Sequence, residues 1–120
     1  MEILRTTIQL LIALGIFNVW LVRYDKSTSY RGGHAINMKE EFEVYGIPYW
    51  FMLLVGGLKL ILAILLIIGI WYKALIQPSA ITMAILMIAA IAMHFKVKDP
   101  ISKAIPASTM LLLSLFVTFV

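Results

Sequence analysis

The chain has 120 residues, of which 62% are hydrophobic and 13% charged; mean hydropathy is +0.99 and cysteine is absent. Soluble domains carry about 45–50% apolar and about 25% charged residues, which excludes a soluble globular enzyme, a disordered chain and a disulfide-stapled secreted module. Net charge is +4, from 10 basic and 6 acidic residues, too sparse and unstriped for nucleic acid but suited to loops beside an anionic membrane surface.

A spanning helix needs roughly 20 mostly apolar residues, at about 1.5 Å each across a hydrocarbon core of about 30 Å. Four segments qualify, at about residues 4–22, 49–71, 78–95 and 100–120. The first is read as a retained helix: its apolar stretch is long for a signal peptide, and Trp20 and Arg23 stand where a cleavage site would be.

The long loop, 23–48, holds the turn signal Gly32-Gly33 and then a short helical pattern. Asn37 with Glu40 has capping-box spacing, Gly46-Ile47-Pro48 is a stop, and Met38, Phe42 and Tyr45 share one face. This predicts an amphipathic helix on or dipping into the interface.

Pro78 suits a first helical position, as does Pro100 after Asp99 as N-cap. Pro106, about two turns further on, is expected to bend the last helix near its entry. The expected architecture is a single all-α transmembrane domain over 1–120: an integral membrane four-helix bundle with a short interfacial helix in its first loop. Arg23, Lys26, Arg31, Lys39, Lys96, Lys98 and Lys103 lie on one side against Arg5 and Lys73 on the other. The positive-inside rule then puts loops 23–48 and 96–99 in the cytoplasm and both termini outside.

Lys59 is the costliest residue, about ten positions into the second span and near the midplane, where a basic residue costs at least about 2.5–3.5 kcal/mol. The four spans contain no Asp or Glu to pair with it. It must therefore carry no charge, donate to carbonyls or to Asn18, meet an acid or ligand oxygen reaching in from the long loop, or snorkel along a helix interface toward water.

Asn18, His94 and Lys59 are expected to line one crevice opening toward the cytoplasm beneath Arg31. Gly56, Lys59 and Ala63 share a stripe of the second span, and Ser79, Met83, Met87, Ala90 and His94 one of the third. Small and Met residues there permit close packing or an adaptable apolar wall. The candidate ligand-binding residues are Lys59, Asn18, His94, Arg31, Gly56 and Met87. His94 is expected to hydrogen-bond at its helix end, and Arg31 to sit in a turn or hold an anionic headgroup. Two isolated histidines, His34 and His94, do not make a metal site, and no phosphate-binding or hydrolase motif is present.

The order of these features resembles the DoxX-like family: an aromatic, acidic loop helix, then Tyr45-Gly46-Ile47-Pro48, then Gly56-Gly57-Leu58-Lys59-Leu60-Ile61-Leu62-Ala63 and Gly69, then His94 to Asp99-Pro100. The resemblance implies a four-helix protein of the bacterial inner membrane. The family includes a subunit of thiosulfate:quinone oxidoreductase, redox-associated proteins and assembly chaperones for membrane receptors. Many relatives carry an acid about where Lys59 stands, so no carboxylate role and no catalytic residue is transferred.

The function expected is a non-enzymatic accessory that binds a lipophilic molecule, a quinone or a lipid, near Lys59 and supports a redox or envelope process. A quinone is the one cofactor considered. The alternative is an assembly factor that recognises other transmembrane helices, with the bilayer, a membrane redox complex, another transmembrane protein or a second copy as partners. An enzyme would need a second group beside Lys59. His94 is the candidate, and it lies roughly 10 Å away in depth at about 1.5 Å per residue.

Overall fold

Apolar residues on every side of a helix direct it into lipid or into a protein interior, and most of the chain follows that pattern. The computed structural model describes residues 2–26 and 30–120. Helix α1 (Glu2–Phe17) runs on into a π-helical turn, Asn18–Val22. A short α2 (Met38–Tyr45) follows in the first loop, then α3 (Tyr49–Ile68), α4 (Ile76–Lys96) and α5 (Ile105–Phe119). No strand occurs among the described residues. The segments Glu2–Val22, Tyr49–Ile68, Lys73–Lys96 and Ile101–Phe119 are each long and apolar enough to cross a membrane. The chain is an integral membrane protein, an all-α bundle of four spans.

The spans close a ring in which α1 packs on α3, α3 on α4, α4 on α5 and α5 on α1. Ile12, Met52, Leu66 and Met83 are fully enclosed. Leu14, Leu53, Ile61, Ile85 and Leu112 point outward, toward lipid as apolar as themselves, so helix–helix fit holds the ring together. Gly15 makes one such fit, since a Cβ there would occupy the position of the Met110 methyl.

Two helix starts and one cap differ from expectation. α4 begins at Ile76, two residues before Pro78, after a 3₁₀ turn at Lys73–Leu75. Proline is tolerated there because the N–H groups of a first turn have no intrahelical acceptor. Pro106 is the second residue of α5, which follows a 3₁₀ turn at Ile101–Ala104, so it starts a helix rather than bending one. Asp99 caps neither turn; its carboxylate is taken by Gly33 and His94.

The long loop and the α4–α5 loop meet at one end of the bundle. Lys96 Nζ donates to the Tyr45 carbonyl at 2.7 Å and Lys103 Nζ to the Gly33 carbonyl at 2.7 Å. The Gly33 N–H donates to Asp99 Oδ1 at 3.0 Å. At the opposite end Lys73 pairs with Glu2.

Candidate functional site: an intramembrane cavity at Lys59

Local chemistry shapes α2 first. Asn37 Oδ1 accepts from the Glu40 N–H at 2.8 Å, and Gly46 closes the helix at φ 78°, the left-handed conformation a side chain resists. Met38, Phe42 and Tyr45 are all buried, so α2 lies with its apolar face against the bundle. Glu41 shares that face, three residues after Met38 and four before Tyr45.

Arg31 fastens this helix to the end of the first span. The π-turn leaves carbonyls facing the loop, and Arg31 Nη2 donates to those of Arg23, Tyr24 (3.4 Å) and Lys26 (3.1 Å). Its Nη1 donates to Glu41 Oε2 at 3.0 Å, and Glu41 Oε1 accepts from the Tyr45 hydroxyl at 2.7 Å. Burial, and then the Glu41 carboxylate, push the Tyr45 phenol up, so it remains a donor. Arg31 is 5% exposed. The guanidinium is engaged by this chain's own oxygens.

Lys59 is different. It is 9% exposed, and among the described residues its ammonium has no hydrogen-bond partner: neither Asn18 nor a backbone carbonyl accepts from it. Its Nζ lies 5.5 Å from the ring centroid of Trp20, a cation–π contact. Glu41, from the loop helix, lines the same cavity as Lys59 without bonding to it. Of the accommodations open to it, the structure shows an aromatic face and an acid from the first loop.

These groups surround a cavity of about 710 Å³. Asn18, Arg31, Lys59, Met87 and His94 line it. Gly56 stands behind its wall, where a Cβ would come within 2.4 Å of the Trp20 ring. Trp20 in turn meets Phe42 edge-on at 5.9 Å. Asn18 is exposed at the rim. Sequence reasoning missed Trp20 and Glu41. Glu41 carried a signal, its place on the buried face of α2. Trp20 carried none, because the π-turn that swings it inward is a packing outcome.

His94 lines the cavity while its Nδ1–H donates to Asp99 Oδ2 at 2.8 Å. Burial would raise the Asp99 carboxyl, but the hydrogen bonds from His94 and the Gly33 N–H, with Lys103 nearby, outweigh it and hold it below the usual carboxylate range. A lowered folded-state value means that Asp99 stabilises this clamp fully above about pH 4 and loses it as pH falls from there toward the lowered value. Asp99→Asn is expected to weaken the clamp by about 1–3 kcal/mol at neutral pH. The change should be read as faster hydrogen exchange at the Gly33 amide, with α3 exchange unchanged.

The DoxX-like family matches residues 33–117, from the turn before α2 to near the end of α5. No curated protein and no solved structure matches the chain. With a family match over most of its length, and four helices able to span a membrane, the chain belongs to the DoxX-like family.

Proposed function

We propose that the protein is a non-enzymatic membrane accessory that binds a lipophilic small molecule, a quinone or a lipid, in the cavity at Lys59. The observation that carries this is a lysine nine-tenths buried, without a hydrogen-bond partner among the described residues, facing about 710 Å³ of space. Small-molecule sites enclose about 300–1,000 Å³, with mostly apolar walls and a few polar groups that set orientation. Met87, Met93 and Met110 supply adaptable walls here. A role in a redox or envelope process of the bacterial inner membrane follows from such a cargo. The cation-rich end of the bundle, where both loops meet, faces the cytoplasm in this reading.

The test is mass spectrometry of small molecules co-extracted with protein purified in mild detergent. One lipophilic species is expected at near-stoichiometric amount, reduced about tenfold by Lys59→Met with the thermal midpoint little changed. Wild-type protein that carries nothing above the detergent and bulk-lipid background overturns the reading.

A further inference from the structure

Five charged side chains line the cavity, four cations and one acid. Arg31 and Lys59 bring two positive charges and Glu41 one negative charge. The Glu41 carboxylate is already shared between Arg31 and the Tyr45 hydroxyl and does not bond to Lys59. The other ionisable groups near the cavity do not supply the missing negative charge. Lys103 is a further cation, committed to the Gly33 carbonyl. His94 is paired with Asp99, and Arg23 is an exposed cation at the rim. An excess positive charge in an apolar interior is costly unless a counter-charge reaches it. The direct way to supply one at Lys59 is a bound molecule.

We infer that the occupant is an amphiphile bearing one negative charge, whose anionic group sits against Lys59 while its chain runs between the Met87 and Met110 walls. The inference rests on the lipophile-binding reading above and narrows it, since a quinone is neutral. The shared chemistry is a carboxylate-, sulfonate- or phosphate-type monoanion on an alkyl chain, whether a free single-chain acid or a phospholipid. Glu41 competes with that anion for the same cations. Removing its charge should therefore tighten binding, while removing the charge of Lys59 should weaken it. A residue that merely holds the fold would not give opposite signs.

The experiment uses full-length protein carrying Trp50→Phe and Trp71→Phe, so that Trp20 is the sole tryptophan, in phosphatidylcholine nanodiscs. Three brominated probes are titrated: a long-chain alkyl sulfonate, the alcohol of equal chain length, and phosphatidylglycerol. Bromine quenches Trp20 on occupying the cavity. Saturable quenching by at least one anionic probe is expected, with the alcohol about tenfold weaker. The sulfonate and phosphatidylglycerol arms tell a free acid from a phospholipid. Lys59→Met should abolish the preference for the anion, and Glu41→Gln should strengthen anion binding about threefold or more. Because Glu41→Gln could loosen α2, hydrogen exchange in α2 is followed in parallel, and a gain in anion affinity despite faster exchange counts as support. Equal binding of alcohol and anions, insensitive to both substitutions, overturns the anion inference and leaves the lipophile reading standing. Absence of saturable quenching by all three probes overturns both.

Discussion

Arg31→Ala is expected to be among the most damaging single substitutions in the loop end of the bundle, at about 3–5 kcal/mol. The cost comes from what is left behind. The Lys26 carbonyl loses its donor, those of Arg23 and Tyr24 keep only their backbone ones, and the Glu41 carboxylate loses its ion-pair partner in a site that water reaches poorly. Arg31→Lys should recover only part of this, because one ammonium cannot span three carbonyls and a carboxylate as a planar fork does. A lowered thermal midpoint in detergent, with accelerated hydrogen exchange over residues 30–45, would show it. An unchanged exchange pattern in Arg31→Ala would mean that α2 is held by its apolar face alone.

The second large effect separates two adjacent glycines. At Gly56 a Cβ would lie 2.4 Å from the Trp20 ring, a rigid and buried group that must shift to admit it. Gly56→Ala is therefore expected to cost about 1–3 kcal/mol by overpacking. It should also push Trp20 off Lys59, seen as a shift in Trp20 emission and weaker occupancy of the cavity. At Gly57 a Cβ meets nothing within 4 Å. Gly57→Ala should be neutral, or stabilising by up to about 1 kcal/mol from helix propensity. Equal effects at both sites would refute the assignment of Gly56 to the Trp20 contact.

Several parts of the site were legible beforehand for identifiable reasons. Asn37, Glu40 and Gly46 mark the ends of α2 through hydrogen bonds to their own neighbours, so no distant residue was needed to read them. Lys59 stood out because a charge at that depth is costly in any fold. Asn18 and His94 could be placed at the same end of the bundle because up-down helices convert sequence position into height, and Met87 by its stripe on the third span. The Asp99 and Pro106 readings failed for the converse reason. Each has a local preference that a neighbouring loop or an extra 3₁₀ turn could override.

By itself, then, the sequence determined that this chain lives in the membrane, how many times it can cross, and that residue 59 demands an explanation. Those properties follow from transfer free energies and from a rise per residue that hold whatever the neighbours are. What answers that demand is set by packing. The π-turn aims Trp20 at Gly56, Arg31 binds the end of the first span to α2, and α2 in turn brings Glu41 to the cavity that Lys59 lines. These contacts join residues up to 36 positions apart through azimuth and close fit around four nearly uniform apolar helices. Hydropathy carries no such directional information, and packing does.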